Sequence, residues 1–206
     1  MRCEAPDSQF FAELRDLNLA FLALAVAGRQ RGYGPVFGLD DAVLEALVRL
    51  TTAQLEAAAL VPCLLVAFAP RPTRLARQVA EPPPGDDADW VEQARLFAAG
   101  LLAYARQASR RDELRAALVV GATERLPDGA GYRDIRSEAD RALQHLQARF
   151  RDSPRFWPEL VRAARDGHAQ RLQLARLAAI QLATIGAGVS PGPAPALAPP
   201  ILATLR

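Results

Sequence analysis

The sequence contains no lysine and only two histidines and two cysteines, and these shortages exclude several kinds of site. The glycine-rich segment 28–34 has no lysine after it and no predicted strand before it, so it is not a phosphate-binding loop. Cys3 and Cys63 are too far apart to form a disulfide framework or a metal-ligand motif. No nucleophile stands at a recognisable spacing from a base. The sequence therefore argues against an enzyme and predicts no metal and no cofactor.

Long apolar runs are also missing. Asp16 interrupts the apolar run of the first predicted helix. No segment offers about 18 uninterrupted apolar residues, which is close to the length that crosses a membrane. No charged-then-apolar leader with a small-residue cleavage site precedes the first helix. These absences predict a cytoplasmic protein without a membrane partner.

The charge of the chain is nearly balanced, since 25 basic and 23 acidic residues give a net charge of +2. The distribution is uneven, because residues 141–176 contain eight arginines and only three acids. The eight are Arg141, Arg149, Arg151, Arg155, Arg162, Arg165, Arg171 and Arg176. Without an aromatic platform, such a run indicates a nucleic-acid contact only weakly, and a solvated surface is the commoner interpretation.

The apolar pattern predicts a mostly helical chain that begins with a long amphipathic helix. Apolar residues recur three or four positions apart along it, which places them on one stripe. The stripe consists of Phe10, Leu14, Leu17, Phe21 and Leu24. Further apolar residues widen this surface, so the helix needs more than one neighbour. The pattern is equally consistent with burial in an oligomer and with a core helix of a monomer.

Two short helices and one extended segment follow. Asp40 is expected to cap the first helix, and Thr51 with Gln54 forms a capping-box pattern for the second. The two helices are either an ordinary hairpin, which we favour, or a helix-turn-helix. Pro62 ends the second helix, and the apolar run 63–68 is predicted to be extended. In a dimer such a segment could pair with its own copy.

The predicted fold class is all-α, with one short extended segment near Cys63 and three parts along the chain. Residues 8–118 are expected to form a helical domain, and the loop 121–134 is the best candidate for a boundary. A C-terminal helical extension is predicted at 134–186. Residues 187–206 are rich in proline, alanine and glycine and are expected to form a disordered tail.

The extension is predicted to contain several helices. Ser137 is expected to cap the first, with Ala139, Leu143, Leu146 and Phe150 along one side. The last helix is predicted to be amphipathic. Its apolar face would contain Leu172, Ala175, Leu177, Ala179, Leu182 and Ile185.

Four segments in the first half of the chain resemble a known family. They are DLNLAFLALA (16–25), FGLDD (37–41), LTTAQLEAAA (50–59) and LVPCLLVAF (60–68). In this order and at this spacing they closely resemble FlhD, the small all-helical subunit of the bacterial flagellar master transcriptional regulator. The resemblance covers roughly the first half of the chain and extends more weakly to about Leu118.

The resemblance implies an interface, a partner and a function. FlhD-like proteins form homodimers, and a cysteine at the place of Cys63 lies at the subunit interface, where it can form an inter-chain disulfide. A reducing cytosol would disfavour that bond. The implied dimer interface consists of Cys63 and the apolar stripe of the first helix. FlhD assembles with a zinc-bearing partner, FlhC, into a complex that activates flagellar operons, so the implied function is that of a transcriptional regulator subunit bound to promoter DNA within such a complex.

The region that contributes to DNA binding in this family departs from its pattern here. In FlhD it contains a Ser-Arg-Val stretch and a nearby histidine, whereas this chain reads PPPGDDADWVEQARLFAAG at 82–100. Acidic residues there would weaken contact with phosphates. Arg71, Arg74, Arg77 and Arg95 stand nearby and are either a phosphate contact or a solvated face. The alternative to a regulator is therefore an adaptor that keeps the dimer core, has lost DNA contact and binds a protein through its C-terminal helices.

Overall fold

A computed structural model describes residues 6–33, 36–69, 71, 73, 88–121 and 135–186. In this part of the chain the structure is helical apart from one short two-stranded sheet, which confirms the all-α prediction. The helices are α1 (Pro6–Gln30), α2 (Asp41–Val48), α3 (Thr52–Ala59), α4 (Ala88–Arg111), α5 (Glu113–Val119), α6 (Ile135–His145), α7 (Phe156–Asp166) and α8 (Ala169–Gly186). The strands are β1 (Val66–Phe68) and β2 (Leu146–Ala148), and a 3-10 turn covers Val36–Gly38. The tail predicted at 187–206 lies outside the described residues.

Helix α1 is the centre of the fold and is buried on more than one side. It packs against α2, α3 and α4. Leu14, Phe21, Leu22 and Ala25 are fully or almost fully buried. The several neighbours that its wide apolar surface requires are therefore supplied by the same chain, as in a core helix.

Helix α4 crosses α1 at Gly28. A Cβ atom at position 28 would lie 2.8 Å from Cζ2 of Trp90, so only glycine allows the indole to approach the helix this closely. The Trp90 indole N–H donates a hydrogen bond to the Leu24 carbonyl at 3.0 Å. Tyr33 stacks on the same indole, with ring centroids 4.5 Å apart. The glycine-rich end of α1 thus packs directly against a buried tryptophan.

Helices α2 and α3 begin where the sequence predicts. Asp40 occupies the position before α2, although its side chain forms no capping hydrogen bond. At the start of α3 the capping box is complete, because the Thr51 hydroxyl accepts from the Gln54 N–H and the Gln54 side chain accepts from the Thr51 N–H. Both helices pack against α1 and α7.

The predicted extended segment is present as β1, but its partner is a second strand of the same chain. β1 pairs antiparallel with β2 in the register Val66↔Ala148, Ala67↔Gln147 and Phe68↔Leu146. One edge of this strand is therefore paired within the same chain, and pairing with a second copy stays a prediction.

The strand β2 also corrects the prediction of a helix that runs from Ser137 to Phe150. Helix α6 begins at Ile135, so Ser137 lies in its first turn rather than before it, and the helix ends at His145. The following residues leave the helical conformation to pair with β1, and Phe150 has a positive φ of 61°. The unpaired backbone of β1 needs hydrogen-bond partners, and this tertiary requirement outweighs the local helical pattern.

The predicted boundary at 121–134 does not separate two cores. Trp157 of α7 lies against Phe21 of α1, with ring centroids 6.2 Å apart. The Gln54 side chain at the start of α3 donates to the Arg165 carbonyl of α7 at 2.8 Å. One continuous apolar core includes residues from α1 through α8. The C-terminal extension is therefore part of the same packed unit as the region 8–118.

None of the helices in the described ranges is both long enough and apolar enough to span a lipid bilayer.

Candidate functional site

The predicted dimer stripe of α1 lies mostly inside the single chain. Leu14, Phe21 and Leu24 are buried in its core, and Leu17 is partly buried against it. Phe10 is partly exposed, but the Arg115 guanidinium lies 4.0 Å above its ring. In this arrangement the three buried side chains offer no surface to a second copy, so they act as core residues.

Cys63 is likewise buried, with 2 % of its surface exposed. Burial raises the pKa of its thiol from 9.0 to about 11, against a smaller opposing effect of the nearby Arg149 guanidinium. A thiol must be accessible and ionised to form or exchange a disulfide. Cys63 meets neither condition here, so an inter-chain disulfide would require this region to open.

Asn18, which was not among the predicted site residues, holds the segment around Cys63 in place. Its side-chain nitrogen donates to the carbonyls of Ala59, Val61 and Cys63 at 3.2, 3.2 and 3.0 Å. Its side-chain oxygen accepts from the Leu65 N–H at 2.9 Å. A signal was present, since Asn18 is a lone amide between apolar residues of α1, and a buried amide needs such partners.

Of the four predicted DNA-contacting arginines, the structure describes two, Arg71 and Arg95. Arg71 is exposed. Arg95 is only 17 % exposed and forms ion pairs with Asp140 of α6 and with Glu92. The hydrogen bond to Asp140 is the main cause that raises the Arg95 pKa. Arg95 therefore joins α4 to α6, while Arg74 and Arg77 lie outside the described residues.

The arginines of the run 141–176 have different environments: Arg149 bonds to the backbone of α5, whereas others lie on the surface. The partly buried Arg149 guanidinium donates to the carbonyls of Val119 and Leu118 at 2.7 and 2.9 Å. It thereby satisfies carbonyls at the C-terminal end of α5 that have no partner within the helix. Its burial lowers the Arg149 pKa. Arg155, Arg162 and Arg171, by contrast, are exposed.

Catalytic or metal-binding constellations are not found among the described residues. No group of three or more histidine, cysteine, aspartate or glutamate side chains there could hold a metal ion. His145 lies with Nδ1 2.8 Å from the Ala69 carbonyl, beside the strand pair. His168 is exposed just before α8.

The feature that the structure does assemble is a groove of about 560 Å³ between α7 and α8. Its floor is apolar, and its edge contains arginines. The apolar lining includes Phe156 from α7 and Leu174, Ala175, Ala178, Leu182 and Ile185 from α8. The polar lining includes Arg155, Glu159 and Arg162 from α7 and its N-terminal end, and Arg171 and Gln181 from α8.

Helix α8 exposes much more apolar surface than predicted. Its fully buried residues are the small Ala175, Ala179 and Ala183. Leu177 and Ile185, which were expected on the buried face, are 55 % and 73 % exposed. Leu174, which was not assigned to that face, is 65 % exposed. Leu172 and Leu182 still pack partly against the core, whereas Leu174, Leu177 and Ile185 point outward, so the helix is apolar on more than one side.

The fold and this surface define an all-α protein with an open apolar groove and no described catalytic centre. Comparison of the chain with protein-family models, with curated proteins and with solved structures finds no match.

Proposed function

We propose that this chain is a protein-interaction subunit of the FlhD-like kind, an adaptor rather than an enzyme. The observation that supports this proposal most is the apolar surface of α8, on which Leu174, Leu177 and Ile185 are each more than half exposed. Contiguous exposed apolar surface usually marks a site of protein contact. Helix α8 belongs to the extension that the adaptor hypothesis assigned to a protein partner.

Direct DNA contact has less support from the contacts of the predicted arginines. Arg95 is already paired with two carboxylates, and an arginine in such pairs gives up those pairs to bind a phosphate. The neighbouring sequence at 85–89 is acidic, which disfavours a phosphate backbone. Arg71 is the one member of the four that is both described and exposed.

The second candidate is the transcriptional regulator subunit itself, homodimeric and bound to an FlhC-like zinc protein and to promoter DNA. The order and spacing of the four segments within 16–68 favour it. The dimer would need a surface other than the buried side chains of α1, or an opening of the chain that frees them. Activation of flagellar genes would then be the function of the complex.

The two candidates differ in their behaviour with an FlhC-type protein from the same genome. The chain would be co-purified with that protein, and the mass of the product would be determined by light scattering. The adaptor proposal expects the chain to elute without the FlhC-type protein. A stable complex larger than a dimer would contradict the adaptor and support the regulator.

Salt dependence of DNA binding separates the candidates a second time. Each phosphate neutralised by an arginine adds roughly 0.9 to the slope of log affinity against log salt. The regulator expects the triple substitution Arg71→Ala, Arg74→Ala and Arg77→Ala to flatten this slope on a flagellar promoter fragment. The adaptor expects an unchanged slope. Arg95 is left intact in this variant, because its loss would also disturb the packing of α4 on α6.

A further inference from the structure

The groove between α7 and α8 is long enough to hold a third helix. Leu174, Ala178 and Ile185 line it from α8, and Phe156 closes its floor from α7. From Leu174 to Ile185 the axis of α8 advances by about 16 Å, since each helical residue adds about 1.5 Å. This length matches about three turns of a helix laid along the groove. A helix bound in an apolar groove contacts it through side chains at every third or fourth position.

The charges at the edge of the groove indicate the chemistry of the ligand. Three arginines and one glutamate line it. Arg162 lies 3.3 Å from Glu159, and Arg171 lies 3.1 Å from Asp166, so these two are partly neutralised. The exposed Arg155 guanidinium has no ion pair among the described residues. The edge is therefore net positive and complements a ligand with carboxylates beside its apolar surface.

The same charges disfavour two other occupants. A second copy docked groove to groove about a twofold axis would place arginines against arginines. The chain's own segment 187–206 contains no aspartate or glutamate. The segment supplies no side-chain carboxylate, and the groove of a second copy supplies only Glu159, which already lies 3.3 Å from its own Arg162.

We propose that this groove binds an amphipathic helix of a partner protein that carries acidic residues on both sides of its apolar stripe. This inference rests on the proposed protein-interaction function and names the class of partner. Apolar side chains of the partner helix pack onto Leu174, Ile185 and the Phe156 ring. Its carboxylates pair with Arg155, Arg162 and Arg171.

The first test uses two synthetic helix-forming peptides of about 15 residues, near the shortest length that is helical alone in water. Both have leucines at the same helical positions, and these are flanked by glutamates in one peptide and by lysines in the other. Binding to the full chain is followed by fluorescence anisotropy. The acidic peptide is expected to bind at least roughly tenfold more tightly, which corresponds to about 1.4 kcal/mol. Equal binding of the two peptides would overturn the proposal.

A matched pair of variants localises the binding. Leu174 in the groove and Leu96 on α4 are both 65 % exposed, so each can be replaced without opening the core. Leu174→Asn is expected to weaken binding of the acidic peptide at least roughly fivefold, about 1 kcal/mol. Leu96→Asn is expected to leave the affinity for that peptide unchanged. Equal effects of the two substitutions would show that the peptide binds elsewhere.

A charge-reversal variant tests the edge of the groove. The double substitution Arg155→Glu and Arg162→Glu is expected to reverse the preference, so that the lysine peptide binds more tightly than the glutamate peptide. An unchanged preference would contradict the assigned pairing.

Light scattering without peptide, on the natural chain and on the Leu174→Asn variant, tests whether a second copy of the chain occupies the groove. A dimer of the natural chain that becomes a monomer in this variant would overturn the partner-helix proposal. If a partner complex still forms with the Leu174→Asn variant, the groove is not the binding site. The proposed protein-interaction function would then stand without it. If neither peptide binds and the chain forms no complex with any protein, both proposals fail.

Discussion

Asn18 shows how much of this fold depends on one polar side chain. Its amide forms four hydrogen bonds to the backbone between α3 and β1. That backbone runs from the last residue of α3, Ala59, to Leu65 just before β1, and the carbonyls bound by Asn18 have no partner within a helix. A buried polar group without a partner loses its hydration and gains nothing in exchange. Asn18 thus fixes the path of the chain past Cys63.

Replacement of Asn18 by alanine is expected to lower the free energy of unfolding by at least about 2 kcal/mol, because the carbonyls and the Leu65 N–H stay buried without partners. The measurement is chemical denaturation followed by circular dichroism. Asp16→Ala is the control on the same helix, since it removes only the exposed pair with Arg15 and should cost less than about 0.5 kcal/mol. Similar losses for the two variants would contradict the role given to Asn18.

The thiol of Cys63 is expected to make stability depend on alkaline pH. Its pKa is 9.0 in an open chain and about 11 in the fold, so between these values the folded state binds more protons than the unfolded state. The free energy of unfolding should therefore be unaffected by Cys63 below pH 9 and fall as pH rises from about 9 to about 11. The slope contributed by one group is at most about 1.4 kcal/mol per pH unit.

Urea denaturation of the natural chain and of the Cys63→Ala variant, each across this pH range, measures the effect. The variant is expected to be less stable below pH 9 because it leaves a cavity, so the slopes are compared and not the absolute values. The natural chain should lose stability more steeply. Parallel curves would show that Cys63 ionises as freely in the fold as in the open chain.

Among the helices and strands, those whose ends are set by local chemistry were predicted best. Thr51 and Gln54 cap α3 through their own neighbours, and the pattern that predicts this capping box lies within four residues. Strand β2 was predicted as helix, because its pairing with β1 joins residues far apart in the sequence. Helix α8 was predicted as a helix, and Leu172, Ala175, Ala179 and Leu182 of its predicted apolar face do pack on the core, whereas Leu177 and Ile185 are exposed. Its apolar residues surround the axis, so periodicity alone could not select a face.

The whole molecule is held by one core that spans both predicted regions. The chain's two tryptophans report on the two regions separately, Trp90 of α4 beside α1 and the 3-10 turn, and Trp157 in α7. Because both share this core, they should unfold in one cooperative transition. Independent units would unfold at separate midpoints.

The variants Trp90→Phe and Trp157→Phe each leave a single tryptophan. Within each variant the fluorescence midpoint in guanidinium is expected to coincide with the midpoint of helix loss by circular dichroism. The comparison is made inside each variant, since the two substitutions change stability by different amounts. A Trp157 midpoint clearly below that of helix loss would mean that the extension unfolds by itself.

The sequence by itself determined the helical class, the capping box at Thr51, the extended segment after Pro62 and the shortage of catalytic side chains. These features depend on residue type and short-range spacing, and both are properties of the sequence itself. Tertiary structure alone decided that α1 is covered within one chain, that Arg95 is paired with Asp140 and that a groove opens between α7 and α8. The reason is physical. Periodicity reports that a side chain is apolar or charged, whereas its partner is chosen by contacts between residues distant in sequence.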